Sequence, residues 1–208
     1  QGYAAADDVV GHELTHGVTQ YTSNLYYYYQ SGAINEALSD IFGEFMDLTN
    51  GAGNDTAGVR WQLGEDLPIG AIRNMSDPTT FGDPDRMRSP NYYGAAGDSG
   101  GVHTNSGVAN KAAYLMTDGG THNTVTVVGM GVDKAALIWY EAATSFLTSG
   151  SDYGVLDKAL VQACTNLIGT GGMGTVYLAH QRGLSRNVAV KVLRKELSGD
   201  SDTVVRFH

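Results

Sequence analysis

The hydrophobic positions of the first 170 residues follow helical spacing in five segments. In residues 34–49 the apolar side chains recur at intervals of three and four, at Ile34, Leu38, Ile41, Phe42, Phe45 and Leu48. This period is typical of a helix with one buried face. The same pattern predicts four further helices, over residues 4–24, 105–117, 133–148 and 153–166. The chain is therefore expected to be mainly α up to about residue 167.

A long irregular region separates the second predicted helix from the third. All four prolines fall between residues 68 and 90, within a stretch from about 50 to 103. Proline inside a helix removes a main-chain hydrogen bond, so these residues favour loops. We expect long loops that carry functional groups, since binding and catalytic residues are often found on such segments.

The pattern changes near residue 168. Short segments at 175–178 and 188–193 are rich in β-branched residues, which predicts strands. Residues 1–167 hold 7 Lys/Arg against 19 Asp/Glu, a net charge of −12, whereas residues 168–208 hold 6 against 3, a net of +3. We therefore predict one domain over residues 1–167 and a separate fragment over residues 168–208.

Composition narrows the class of protein. Of the 208 residues 42% are apolar, enough for a sizeable core, while only 17% are charged and 28 are glycine, which suits a loop-rich extracellular domain. The net charge of −9 argues against nucleic acid as the main partner. No apolar run approaches the length that crosses a membrane. One cysteine excludes an internal disulfide, and we expect a monomer.

The run His12-Glu13-Leu14-Thr15-His16 carries the clearest chemistry in the chain. Histidines four apart on a helix share one face, with Cβ atoms about 5–6 Å apart, so both rings can bind one ion. Catalytic zinc takes three protein ligands and keeps a fourth position for water. Glu13 could reach that water as a general base. The alternative is two partly buried polar residues on an amphipathic helix.

The segment that follows favours the zinc interpretation. Glu36 comes twenty residues after His16, with Asp40 one turn later. This arrangement resembles the thermolysin-like neutral metallopeptidases, in which one helix carries the two histidines and the next begins with this glutamate ligand. The resemblance covers about residues 3–167 and includes the segments at residues 8–12, 76–78, 82–85 and 100–107.

The resemblance implies a zinc endopeptidase with the helical C-terminal half of that fold and long loops. Zinc would polarise the scissile carbonyl, and Glu13 would move the proton of the attacking water to the leaving amine. His103 and Tyr27 match the donors to the oxyanion, although four successive tyrosines at 26–29 leave the second assignment open by one residue. A large apolar residue is expected after the cleaved bond, in a pocket that is lined by Val9, Leu63 and Ile72.

Three further positions match supporting residues of the family. Asp40 matches the carboxylate that orients His12, and Asp98 matches the carboxylate that orients His103. Arg73 matches an arginine that hydrogen-bonds the substrate main chain. Protein or peptide substrates and secretion are implied in the same way, with the signal segment outside this chain.

Three carboxylates match a calcium cluster of the family: Asp8, Asp47 and Glu65. Arg60 stands where members with two calcium ions have a bridging aspartate, and Gln62 stands where they have a glutamate. Because a cation cannot bind calcium, we expect one site rather than two, with the main-chain carbonyl of Gln62 as a candidate ligand. The alternative is a set of solvated carboxylates.

The tail resembles a different family. A glycine-rich run at 169–174, a strand pattern and a Val-Ala-Val-Lys segment are similar to the start of a bacterial-type Ser/Thr protein kinase. The matching nucleotide-binding positions are Gly169, Gly171, Gly174, Val176 and Lys191. The alternative is a glycine-rich hairpin with an exposed lysine. The other parts that phosphoryl transfer requires are absent, so no kinase activity is expected.

Three functions therefore stay open: a zinc endopeptidase, a zinc-binding fragment without activity, and an ATP-binding tail. The second stays open because the β-rich half that precedes the zinc helix in the family, with the edge strand that pairs with substrate, is not in this chain. A short segment at 167–172 would suit both families, and we hypothesise that two unrelated sequences were joined there.

Overall fold

The computed structural model describes residues 6–54, 56–169, 174–181, 186–193 and 205–207, and for the last three ranges it describes the backbone alone. Proximity of Cα atoms divides the chain into two units, Gln1–Ala159 and Leu160–His208. The first unit holds all of the predicted catalytic, metal-binding and substrate-binding residues, the last of which is His103.

Helices make up most of the described fold, which confirms the mainly α class. They are α1 (Asp7–Tyr21), α2 (Tyr29–Asn50), α3 (Asp98–Asn105), α4 (Gly107–Asp118), α5 (Val132–Glu141) and α6 (Tyr153–Leu167). A 3₁₀-helix covers Pro78–Phe81 and a π-helix covers Ala142–Phe146. None of the described helices is long and apolar enough to cross a membrane.

The strands are short in the first unit. β1 (Gln62–Leu63) pairs antiparallel with β2 (Arg73–Asn74), and β3 (Gly120–His122) pairs antiparallel with β4 (Val125–Val127). In the second unit β5 (Gly174–Gln181), β6 (Arg186–Leu193) and β7 (Val205–Phe207) form an antiparallel sheet in that order. The two strands predicted in the tail are thus within β5 and β6.

Several predicted boundaries were wrong. α2 begins at Tyr29 rather than at residue 34, because its first turn carries none of the aliphatic side chains that revealed the helix. α3 was missed, since its first turn has left-handed backbone angles that a helical period does not describe. The predicted helix 133–148 is divided between α5 and the π-helix, and the hairpin of β3 and β4 was not predicted.

α2 is the central helix of the first unit. Every residue from 32 to 41 is buried, and α1, α3, α4 and α5 all contact this helix. A helix that is buried on all sides has no solvated face for its polar residues. The buried carboxylates of Glu36 and Asp40 therefore need partners from the surrounding elements.

α1 and α2 pack against each other through two glycines. A Cβ added to Gly11 would lie 2.9 Å from the Cα of Gly43, and a Cβ on Gly43 would overlap the main-chain oxygen of Asp8. Real Cβ atoms do not approach backbone this closely, so a side chain at either position would force the helices apart. The glycines thereby bring His12 and His16 within reach of Glu36.

We predict opposite effects for two Gly→Ala changes. Gly43→Ala should lower the free energy of unfolding by about 1–3 kcal/mol, because the added methyl group overpacks the helix crossing. Gly17→Ala is the matched control: it lies in α1 with no atom within 4 Å of the added Cβ, and should raise stability by about 0.5–1 kcal/mol. Urea denaturation measures both, and equal stability of the two variants would contradict the close crossing.

Candidate metal centre and cleft

Three side chains converge at the crossing of α1 and α2. The Nε2 atoms of His12 and His16 lie 3.1 Å apart. The carboxylate of Glu36 lies 3.5 Å from Nε2 of His12 through Oε2 and 3.4 Å from Nε2 of His16 through Oε1. These residues form the one group of three or more potential metal-binding side chains in the described part of the chain, with all ligand atoms within 4.8 Å of one another.

Outer partners fix both imidazole rings. Nδ1 of His12 lies 2.7 Å from Oδ1 of Asp40, and Nδ1 of His16 lies 2.8 Å from Oδ1 of Asn35. Because each acceptor requires a proton on Nδ1, it leaves the lone pair of Nε2 free for a metal ion. Asp40 therefore contacts His12, the residue that it was predicted to orient, and Asn35 takes the equivalent position at His16.

Asp40 is fully buried and receives four hydrogen bonds. Oδ1 accepts from His12 and, at 2.7 Å, from Arg73, while Oδ2 accepts from Arg73 and from Asn110, both at 2.8 Å. Burial opposes ionisation, but the charge of Arg73 and the hydrogen bond with His12 outweigh it and hold the pKa of Asp40 well below its usual range. The carboxylate therefore stays negative beside His12.

His103 and Tyr27 lie on the open side of the three ligands. The Tyr27 hydroxyl donates to Oε1 of Glu36 and lies 3.1 Å from Nε2 of His103. Burial and the hydrogen bond to Glu36 raise the pKa of Tyr27, so it remains an O–H donor. Nδ1 of His103 lies 2.7 Å from Oδ1 of Asp98, as was expected of that carboxylate.

A left-handed turn holds Asp98 and His103 together. Asp98 and Ser99 have φ of 51°, followed by φ of 90° at Gly100 and 77° at Gly101. Left-handed angles at Asp98 and Ser99 cost backbone energy, whereas the two glycines adopt them freely, and such strain is concentrated at functional sites. The turn returns the carboxylate of Asp98 to the main-chain N–H of His103, at 3.0 Å, as well as to its ring.

The rings of two tyrosines pack against this turn. A Cβ on Gly100 would lie 2.5 Å from the ring of Tyr29, and one on Gly101 would lie 2.6 Å from the ring of Tyr93. Each position thus requires glycine for two reasons, the positive φ and the tyrosine ring that packs against it. The turn is built by tertiary packing rather than by local preference.

A cavity of about 580 Å³ opens beside the three ligands. It is lined by His12, Glu13, His16, Gln20, Asn24, Leu25, Tyr27, Asn35, Glu36 and His103. Among the four successive tyrosines, Tyr27 is the one that lines it. Glu13 is exposed on the same side of α1, so its carboxylate is accessible to a molecule in the cavity.

The predicted substrate-binding residues do not line this cavity. Val9 packs with Ala6 and Leu67, Ile72 packs against that cluster, and Leu63 is buried in β1. None of these residues lines the cavity, nor does Arg73, whose guanidinium is paired with Asp40. The structure therefore groups Val9 with Ile72, outside the lining of this cavity.

The predicted calcium residues lie in an acidic region near the start of α1. Asp8 accepts from the main-chain N–H groups of Val9, at 2.6 Å, and Gly64. Oε2 of Glu65 and Oε2 of Glu44 are buried without a hydrogen-bond partner. Burial, together with neighbouring carboxylates, raises the pKa of Glu44 to about 8 and that of Glu65 to about 7. Asp8, Asp47 and Glu65 do not form a three-ligand group within 4.8 Å.

The tail positions are described in part. Gly171 lies outside the described residues, and only the backbone is described for Gly174, Val176 and Lys191. Gly169 has a left-handed φ of 76° after the end of α6. The pairing of β5 with β6 places Val176 opposite Lys191.

Comparison with known families decides the affiliation of the chain. Residues 23–179 match the thermolysin metallopeptidase alpha-helical domain. The chain belongs to this family. The match ends at residue 179 rather than at 167, and the predicted boundary between two domains remains a prediction.

Relatives in the thermolysin family are similar over most of this chain. It is 49% identical over 175 residues to a zinc metalloproteinase of Renibacterium salmoninarum, which covers 81% of this chain. A bacillolysin of Bacillus cereus and a thermolysin of Alicyclobacillus acidocaldarius are each 47% identical, over 78% and 81% of the chain. The chain spans 28–32% of the length of these relatives.

A solved structure shows the same fold. The precursor of protealysin, a metalloproteinase from Serratia proteamaculans, aligns with a TM-score of 0.62 and 32% identity. The alignment covers 79% of this chain and 52% of that chain. The helical arrangement described above is therefore that of the thermolysin family.

The donor set of this thermolysin-family chain fits zinc. Ligand atoms that lie about 2.0–2.1 Å from one tetrahedral ion are roughly 3.3 Å apart. The two Nε2 atoms are 3.1 Å apart, and they lie 3.5 and 3.4 Å from Oε2 and Oε1 of Glu36, respectively. In addition, Oε2 of Glu36 is buried without a hydrogen-bond partner, and a cation between the three residues would satisfy it.

Sequence reasoning missed three polar residues near these sites. Asn35 orients His16, Asn110 binds Asp40, and the buried Glu44 accepts the main-chain N–H of Trp61 at 2.8 Å. Asn35 lies beside Glu36 in the motif and could have been found there. Asn110 and Glu44 carry no spacing signal, because their partners come from other elements.

Proposed function

We propose that this chain carries the catalytic centre of a zinc endopeptidase. The observation that carries the proposal is the convergence of two oriented imidazoles and one buried carboxylate beside an open cavity. Bound zinc would supply a Lewis acid that polarises a peptide carbonyl and makes water a nucleophile near neutral pH. His12, His16 and Glu36 would hold it, leaving the cavity side for water and substrate.

Glu13 is the proposed general base. It is next to His12 on α1, lines the cavity and is exposed, whereas Glu36 faces the ligand cluster and is buried. Its carboxylate would accept a proton from the attacking water and deliver it to the nitrogen of the leaving amine. The exposed carboxylate of Glu13 is thus the proposed base, and the buried carboxylate of Glu36 is the proposed ligand.

His103 and Tyr27 are the proposed donors to the oxyanion. Both line the cavity, and Nε2 of His103 lies 3.1 Å from the hydroxyl of Tyr27. Asp98 accepts from Nδ1 of His103, so donation from Nε2 to an oxyanion would use the imidazolium form, in which both ring nitrogens carry a proton. Donors that are fixed before the reaction stabilise developing negative charge without a cost of reorganisation.

The proposed substrates are peptides or proteins with a large apolar residue after the cleaved bond. Val9, Leu63 and Ile72 would contribute to that pocket. Arg73 uses two of its donor nitrogens for Asp40, and its remaining donors would bind a substrate carbonyl. We propose an extracellular location on the resemblance to the family.

We further propose one calcium site, at Asp8, Asp47 and Glu65. Burial, together with neighbouring carboxylates, raises the pKa of Glu44 and of Glu65, and a bound calcium ion would offset this cost of negative charge. Arg60, which binds Asp118 through two hydrogen bonds of 2.9 and 3.0 Å, is a cation and cannot bind calcium, so we propose a single ion rather than two.

A zinc-binding fragment without hydrolysis is the alternative. The chain spans 28–32% of its relatives, so part of the substrate-binding surface of those proteins is outside the alignment. Zinc bound without peptide hydrolysis would favour this alternative.

Nucleotide binding by the tail is a separate proposal. It rests on the glycine-rich run and on the register that places Val176 opposite Lys191. Isothermal calorimetry with ATP should show binding that Lys191→Ala abolishes and that Arg186→Ala, at the start of the same strand, preserves. Equal binding by both variants, or none by the unchanged chain, would refute it.

The two metal sites should be separable by mutation. His16→Ala should remove zinc, because two protein ligands rarely hold a catalytic ion, and should leave calcium unchanged. Asp47→Asn should weaken calcium at least about tenfold and leave zinc unchanged, since it removes one charged oxygen ligand. Metal analysis after dialysis measures both. Zinc that persists in His16→Ala, or calcium that persists in Asp47→Asn, would contradict the respective assignment.

Hydrolysis should depend on Glu13. A chimera in which residues 6–167 replace the matching region of the Renibacterium salmoninarum relative provides the rest of the protein. In it, Glu13→Gln should keep zinc and reduce kcat at least about a hundredfold, because the amide cannot accept a proton. Glu141→Gln, a change of the same kind outside the cavity, is the control. Activity of Glu13→Gln close to that of the control would exclude Glu13 as the base.

A further inference from the structure

We infer that Asn110 is a positioning residue for the metal centre, acting on His12 through Asp40. The inference rests on the proposed function, since it concerns how the zinc ligands are held. Asn110 lies on α4, is 1% exposed, and its Nδ2 donates to Oδ2 of Asp40 at 2.8 Å. It does not line the cavity.

The four donors around Asp40 show what Asn110 adds. Arg73 binds both oxygens of Asp40 in a bidentate contact, which favours a carboxylate that is coplanar with the guanidinium. This contact alone would still permit the carboxylate to tilt out of that plane. His12 and Asn110 each hold one of the two oxygens from another direction. Together they prevent the tilt, so Oδ1 stays directed at Nδ1 of His12.

The chemistry of the amide supports this role. With Nδ2 on Asp40, Oδ1 of Asn110 is buried without a hydrogen-bond partner. The opposite amide orientation would place two oxygens against each other, so the carboxylate dictates the orientation. A leucine would fill a similar volume without an unmatched acceptor, which indicates that this position requires the N–H donor rather than packing alone.

Asn110 also connects the two halves of the site. It lies seven residues after His103, and its main-chain N–H donates to the carbonyl of Ser106 at 3.0 Å, in the first turn of α4. The same stretch of chain thus carries a candidate oxyanion donor at its start and the anchor of Asp40 one α-helical turn into α4. The position of His103 relative to the metal ligands is fixed in part through this anchor.

The test compares Asn110→Leu with Thr117→Val in the full chain. Thr117 is a matched control: it lies on α4, is buried, and loses one hydrogen bond, to the carbonyl of Ala113, without touching Asp40. Zinc affinity is measured by competition with a chelator, and folding by circular dichroism. We expect Asn110→Leu to weaken zinc binding about 10- to 100-fold, as do other changes to the outer partners of metal-bound histidines, and Thr117→Val to leave it unchanged.

A double-mutant cycle separates positioning from general destabilisation. If Asn110 acts through Asp40, then Asn110→Leu should have little further effect on zinc affinity in an Asp40→Asn background. Unchanged affinity in folded Asn110→Leu, or a full additional loss in that background, would overturn the inference. If Asn110→Leu does not fold, the cycle is repeated with Asn110→Ala. This variant should also weaken zinc binding on its own and have little further effect in the Asp40→Asn background.

A metal-free measurement distinguishes failure of this inference from failure of the proposed function. In the metal-free chain, the Nδ1–H proton of His12 should give a downfield NMR signal that His12→Ala removes. Asn110→Leu should accelerate its exchange with water, and Thr117→Val should not. If the unchanged chain binds no zinc, the proposed function fails, while the NMR comparison still supports or overturns the role of Asn110.

Discussion

The close crossing of α1 and α2 at Gly11 and Gly43 sets the distances on which the site depends. Without side chains at these positions, the backbones approach until Nε2 of His12 and the carboxylate of Glu36 are 3.5 Å apart. A larger residue would move α1 as a unit, and both histidines with it. Zinc–ligand distances tolerate deviations of only about 0.2 Å. The packing of the two glycines is therefore expected to determine whether these residues can bind zinc.

Burial of α2 explains why the centre carries an extended network. Glu36 and Asp40 lie on a helix that is enclosed by its neighbours, where an unpartnered charge is costly. Asp40 is matched by Arg73, His12 and Asn110 from three different elements. Glu36 is only partly matched, by Tyr27, and retains a buried oxygen that suits a cation. This difference between the two carboxylates is consistent with the proposed roles, Asp40 as an orienting group and Glu36 as a metal ligand.

Local signals made part of this site predictable. The spacing of His12 and His16 and the distance to Glu36 are properties of sequence, because a helix converts them directly into geometry. The turn before His103 was not predictable, since its left-handed angles depend on Gly100 packing against the ring of Tyr29, from α2, and on Gly101 packing against the ring of Tyr93. For the same reason, the helical period of apolar residues predicted α4 but not α3. Asn110 was missed because its partner, Asp40, lies on another element and no sequence spacing relates the two.

The central claim is that one zinc ion binds between α1 and α2, and anomalous diffraction tests it most directly. Crystals grown with zinc should give, above the zinc absorption edge, an anomalous peak about 2.0–2.2 Å from Nε2 of His12, Nε2 of His16 and a carboxylate oxygen of Glu36. Water or substrate should complete the coordination on the side of Glu13. A zinc peak on other residues, with His12, His16 and Glu36 arranged as described here but without metal, would contradict the account.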